Sequence, residues 1–344
     1  MLAFRILMKL AIVAVTVVAA VGAEPATAPA TARKGVSPTS QQGISGEGKY
    51  LGCVWRNKWT TPESTTVLFN ELFNQVTPEG AGKWEKVEKT HDEYYWTTLD
   101  AMYAWAAEHK VPVKEHNLVW YDGGGNGTPK WADALPDAEF KAEVEQWIKD
   151  WAARYGSRTE WIDVVNEAMR AGHKHKKALG GDGVTGYDWV IWCYETARRE
   201  TKAYSPKCKL LLNDYFMLDP GLSCDEFVKL AKLLKERGLL DGIAEEGHFL
   251  ERISDDKMPG AREHLKKIVS VGGPVHLSEL TLPSDDDEKQ LALYKKWFPL
   301  FWEEPAVAGV TLWGYYEPLI FSDNRGCHLV RTDGSERPAL TWLP

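Results

Sequence analysis

Two glutamates stand where this chain can do chemistry. Glu167 follows Asn166 at the end of the apolar run WIDVVN (161–166), and Glu279 ends the run VHLSE (275–279). For the Asn-Glu pair alone, an acid favoured at a helix N-terminus is as good an explanation as a site. Two acids at the ends of two such runs are harder to dismiss. Cleavage of an acetal needs one acid to protonate the leaving oxygen and a second carboxylate to meet the cation-like carbon, and a separation of about 5 to 5.5 Å is the geometry that retains configuration. Glu79, His116, Asn213, Asp214 and His248 also fall at or just after the ends of expected strands. Sixteen Trp add flat indole faces, which stack on sugars and also fill cores.

These residues need a frame that brings strand ends together. From Tyr50 onward, runs rich in branched and aromatic residues alternate with longer segments whose apolar residues recur three and four apart. The strand candidates are 50–55, 73–76, 111–119, 161–166, 209–213, 242–248, 275–279 and 309–313. Between them, 94–109, 138–155, 187–204, 224–237, 260–270 and 287–302 read as helices; in 187–204, Trp189, Trp192, Cys193 and Ala197 share one face. Alternation of strand and helix implies parallel pairing through right-handed crossovers. Eight such units predict an α/β fold of the (β/α)8 TIM-barrel type over 49–344, with its chemistry at the C-terminal strand ends.

On these residues the chain resembles glycoside hydrolase family ten, the retaining endo-β-1,4-xylanase barrels. The matching stretches are FNQVTPEGAGKW (73–84), VKEHNLVW (113–120), WIDVVNEA (161–168), LLLNDY (210–215), GIAEEGH (242–248), VHLSEL (275–280) and GVTLWG (309–314), in the family's order. The resemblance implies Glu167 as acid/base and Glu279 as nucleophile, with Glu79, Lys83, His116, Trp120, Asn166, Tyr215, His248 and Trp313 lining the glycone side and the cleavage point. It implies hydrolysis of xylan by double displacement without a cofactor. Lys83 and His116 can donate to sugar hydroxyls, Asn166 to the 2-hydroxyl, and His248 can hydrogen-bond Glu279. Trp84, Trp120 and Trp313 are either stacking walls or core. Two rivals stay open: the same barrel on another β-1,4-glycan, and a catalytically weak polysaccharide-binding barrel.

Four positions depart from the family pattern. Gly80 stands where an Asn usually follows Glu79, and Thr281 stands where an Asp follows Glu279-Leu280. Glu246 replaces a Gln two residues before His248. An ionised Glu246 is expected to raise the pKa of Glu167 by like-charge repulsion. The segment 315–329 lacks the Trp that caps the reacting sugar, with Ile320 or Phe321 nearest in register.

Several segments carry blander expectations. His173-Lys174-His175-Lys176-Lys177 reads as a solvated loop rather than a metal site, and Asp285-Asp286-Asp287-Glu288 as helix-start acids rather than a calcium site. Residues 1–23, with Arg5 and Lys9 before an apolar run and Gly22-Ala23 after it, read as a secretory signal peptide, and 24–48 as a disordered Pro/Ala/Thr/Ser-rich linker. Export implies a periplasmic or extracellular protein, with no membrane partner once the leader is removed. Five Cys, an odd number without CxxC spacing, give no bridge and no metal. A net charge of -8 argues against nucleic acid. The expected partner is polysaccharide, and the expected state a monomer.

Overall fold

The structure, a computed structural model, describes residues 48–56, 69–122, 126–169, 173–320 and 324–343. The expected leader, the expected linker apart from Gly48, and Phe321 lie outside the described residues.

Eight strands form a single parallel sheet. They are β1 (Tyr50–Trp55), β2 (Gln75–Pro78), β3 (Lys114–Val119), β4 (Trp161–Asn166), β5 (Lys209–Asp214), β6 (Gly242–Glu245), β7 (Val275–Leu280) and β8 (Val307–Leu312). The order is β2-β1-β8-β7-β6-β5-β4-β3. A parallel bridge from Val76 to Val113, with the Val76 amide donating to the Pro112 carbonyl at 3.1 Å, joins the two end strands and nearly closes the ring. The (β/α)8 expectation is met. Short helices α1 (Phe69–Leu72) and α2 (Trp84–Val87) flank β2. The crossovers are α3 (Thr97–His109), α4 (Asp137–Tyr155), α5 (Asp188–Tyr204), α6 (Asp225–Glu236), α7 (Met258–Val269) and α8 (Asp287–Trp302), and α9 (Pro338–Trp342) follows β8.

Strand limits differ from expectation where the backbone has other partners. The Phe73 amide donates to the Phe69 carbonyl and closes α1, so β2 starts at Gln75 rather than 73. The Val111 amide closes α3 on Ala106, and β3 begins only at Lys114. At Gly247 a φ of 78° turns the chain, and β6 has already ended at Glu245.

Most of the described Trp serve the core. Trp147, Trp151, Trp189 and Trp297 are fully buried. Trp84 is 2% exposed, donates its indole N–H to Glu88 at 2.7 Å and stacks on Trp147, which removes it as a stacking wall. All five Cys are buried free thiols.

The acid run behaves as expected: Asp286 caps α8 by accepting from the Lys289 amide at 3.0 Å, and Asp287 pairs with Arg337 at 2.7 Å and with Arg331. The solvated-loop expectation for 173–177 fails for both histidines. His173 is buried against Trp189, and burial lowers its pKa to about 4. His175 stacks on Phe140 at 3.9 Å and meets Asp133 at 2.7 Å. Imidazole offers two apolar faces and fills these gaps, while Lys174 and Lys177 stay in water.

Candidate active site

Asn213, at the end of the apolar strand β5, organises the carboxylates. Its Nδ2 group donates to Glu279 Oε1 at 2.8 Å, to Asn166 Oδ1 at 2.6 Å and, at 3.3 Å, to Glu246 Oε1. Its own Oδ1 accepts from Ser278 at 2.5 Å, which fixes the amide's orientation. Beside it, β4 stops because Glu167 takes the left-handed conformation, with φ of 54°. That conformation costs a non-glycine residue about 1–2 kcal/mol. The bond from the Glu167 amide to the Asn213 carbonyl, 2.9 Å, holds the turn in place. Asn166 Nδ2 then donates to Glu167 Oε1 at 3.2 Å.

Glu279 is 4% exposed at the end of β7. His116 Nδ1 lies 3.5 Å from Oε1, and His248 Nε2 lies 3.4 Å from Oε2. Burial by itself would raise this carboxyl. His116, the hydrogen bond from His248 and the Lys114 ammonium outweigh it and hold Glu279 well below the usual carboxylate range. His116 itself is lowered by burial, against the pull of Glu279 and Asp163, so near neutral pH it acts through an N–H dipole rather than a full charge. The lasting positive charge beneath the site is Lys114, which meets Asp163 Oδ2 at 2.5 Å with both side chains fully buried. Asp163 also accepts from His116 Nδ1 at 3.0 Å.

Glu167 behaves oppositely. Burial and the negative charge of Glu279 push its pKa up to about 7, opposed by Trp120, Lys83 and His248. One carboxyl that keeps its proton near neutral pH therefore faces one that has lost it, the division of labour an acid and a nucleophile require.

The other expected residues surround this pair. Lys83 Nζ lies 4.2 Å over the Trp120 ring. Glu79 is 6% exposed and paired with Arg56; burial raises its pKa and Arg56 opposes the shift. Trp313 is 7% exposed and presents its edge to His116 at 5.2 Å and to His248 at 6.3 Å between centroids. Tyr215 follows β5 directly, its amide donating to Asp214 Oδ1 at 2.9 Å. Its ring packs on Phe216 and Phe249, and Phe249 in turn neighbours His248. At the Thr281 departure, the hydroxyl lies 2.9 Å from His248 Nδ1. Ile320 packs over Gly314, where any side chain would collide with it.

Asn213 was expected at the strand ends without a role, and Asp163 and Lys114 were not among the expected site residues. The signal for the last two is visible, since a charge inside an apolar strand needs a buried partner. Glu246 requires a correction. It is fully buried, and that burial, together with the charges of Glu279 and Glu167, pushes its pKa well above the carboxylate range. A protonated Glu246 cannot repel a charge on Glu167. Glu246→Gln is therefore expected to move the alkaline limb of kcat/KM by less than about half a pH unit, or about 0.7 kcal/mol. An acid role for Glu167 needs its proton, so on that role activity is expected to fall as pH rises through its pKa of about 7. A downward shift of a full unit in the variant would show that Glu246 is ionised after all.

The family model for glycosyl hydrolase family 10 matches residues 40–343. Among curated proteins, endo-1,4-beta-xylanase B of Cellvibrio japonicus is 34% identical over 295 residues, covering 86% of this chain and 45% of that protein. A beta-1,4-xylanase of Dictyoglomus thermophilum is 29% identical over 285 residues, covering 75% and 76%. The chain thus spans less than half of the first of these relatives and about three quarters of the second. Among solved structures, native xylanase 10B of Thermotoga maritima superposes with a TM-score of 0.73 at 22% identity, covering 86% of this chain and 93% of that one, and shares the fold.

Proposed function

The chain belongs to glycosyl hydrolase family 10, and from that premise we propose that it is a retaining endo-β-1,4-xylanase that works by double displacement, with Glu167 as acid/base and Glu279 as nucleophile. One observation carries the reading: burial and the charge of Glu279 push Glu167 up to about 7, while His116, His248 and Lys114 hold Glu279 well below the carboxylate range. In the first step Glu167 gives its proton to the leaving oxygen as Glu279 bonds to the anomeric carbon. In the second, Glu167 takes a proton from water, which attacks that carbon and frees Glu279. No step needs a cofactor. The leader-like residues 1–23 support an exported enzyme, periplasmic or extracellular, acting as a monomer on polysaccharide.

Release of reducing ends from xylan, glucan and mannan tests the substrate, and Glu279→Ala serves as the blank. Xylan preferred over the other two is expected. Equal or greater release from glucan or mannan would transfer the proposal to that glycan, and no release from any would leave a binding barrel.

Gly80 is expected to weaken the glycone side. A Cβ built there meets nothing within 4 Å, so Gly80→Asn fits without strain. One added neutral hydrogen bond contributes about 0.5–1.5 kcal/mol. kcat/KM on long xylo-oligosaccharides should then rise about tenfold or less, with a smaller gain on short aryl xylosides. Equal gains on both would place the effect elsewhere.

A further inference from the structure

The geometry points to a divalent zinc site made of Glu246 Oε2, His248 Nε2 and Glu279 Oε2, at which the cation blocks the nucleophile and inhibits the enzyme. One ligand atom from each of Glu246, His248 and Glu279 falls within 4.8 Å of the other two. His248 Nε2 is 3.6 Å from Glu246 Oε2 and 3.4 Å from Glu279 Oε2. Zinc bonds of about 2.0–2.2 Å to nitrogen and oxygen in a tetrahedron require edges of about 3.4 Å, which the two edges at His248 already approach.

The surroundings orient the ligands. Asn213 Nδ2 occupies Oε1 of both carboxylates, leaving both Oε2 atoms toward the imidazole. When zinc binds, the His248 proton shifts from Nε2, where it faces Glu279, to Nδ1, where Thr281 Oγ1 at 2.9 Å accepts it as the outer hydrogen bond of a ligating imidazole, which frees the Nε2 lone pair for the metal. Two carboxylates and one imidazole form a zinc set with its fourth position open. Zinc replaces the proton that buried Glu246 otherwise carries. The neighbouring trio His116, Asp163 and Glu279 is unsuited, because the Lys114 ammonium already occupies Asp163 Oδ2.

Binding stands on this geometry alone; inhibition rests also on the preceding reading of Glu279 as nucleophile. The test is calorimetric titration of the full chain with zinc chloride in a non-coordinating buffer, beside xylo-oligosaccharide hydrolysis at rising zinc. One zinc per chain is expected, with hydrolysis falling at the same midpoint, recovering with EDTA, and the midpoint rising with substrate concentration. Magnesium, which prefers six oxygens, should not substitute. Glu246→Gln, which keeps shape and removes the anionic ligand, and His248→Asn should each weaken zinc at least about tenfold, judged against each variant's own uninhibited rate. Unchanged zinc affinity in both variants, or no binding by the wild type, overturns the site and leaves the assignment of Glu279 untouched. Binding that the variants weaken but that does not slow hydrolysis overturns the inhibition and tells against Glu279 as nucleophile.

Discussion

Glu279→Ala should lower kcat on xylan by about 10⁵-fold, the scale on which removing a covalent nucleophile acts in other hydrolases. The carboxylate sits at the end of β7 against Asn213, His116 and His248, so its removal empties the face from which the anomeric carbon is attacked. Azide should fill that space. With an aryl β-xyloside whose leaving group departs without a proton, azide attacks the anomeric carbon, the bond from that carbon to the glycosidic oxygen breaks, and the phenolate leaves. One inversion gives the α-glycosyl azide. Glu167→Ala should instead give the β-azide, because Glu279 still forms the glycosyl intermediate and azide then displaces it. The stereochemistry thus assigns each acid separately. Near-wild-type turnover in Glu279→Ala would end the assignment, and circular dichroism should show the barrel intact in both variants.

Lys114→Met is expected to be the most destabilising of the single changes considered. Lys114 and Asp163 are both fully buried and 2.5 Å apart, and Asp163 Oδ1 has no hydrogen-bond partner to fall back on. Removing one member of such a pair leaves a charge without water or counter-charge, at about 3–5 kcal/mol. For a domain of this size the melting temperature should drop by about 6–20 °C. Lys114→Met/Asp163→Asn removes the stranded charge and should recover most of the loss, although His116 then faces an amide. A double variant no more stable than the single would mean that packing, rather than charge, holds these positions. Because Lys114 also keeps Glu279 ionised, the acid limb of kcat/KM should move to higher pH in Lys114→Met. The sign follows from a carboxyl whose lowered pKa rises when a nearby cation is lost.

The eight strands and the six crossover helices were legible because their signal is local: alternating branched and aromatic runs, then apolar residues three and four apart. The acid pair was legible because Glu167 and Glu279 end such runs. The tryptophan count misled in part, since composition cannot separate a stacking wall from core, and Trp84, Trp147 and Trp151 are core. The histidines of 173–177 misled for a related reason: flanking lysines suggested water, whereas the ring faces found Trp189 and Phe140.

What was written along the chain, then, was the barrel, the order of its strands and the two carboxylates at its rim. Only the folded arrangement decided which carboxyl carries a proton. That choice rests on distances and water exclusion between residues far apart in sequence: Asn213 reaches Glu279 across 66 positions, and Lys114 reaches Asp163 across 49. It also reversed the expectation for Glu246, because burial acts on a side chain through all the strands packed around it and leaves no trace in its immediate neighbours along the chain.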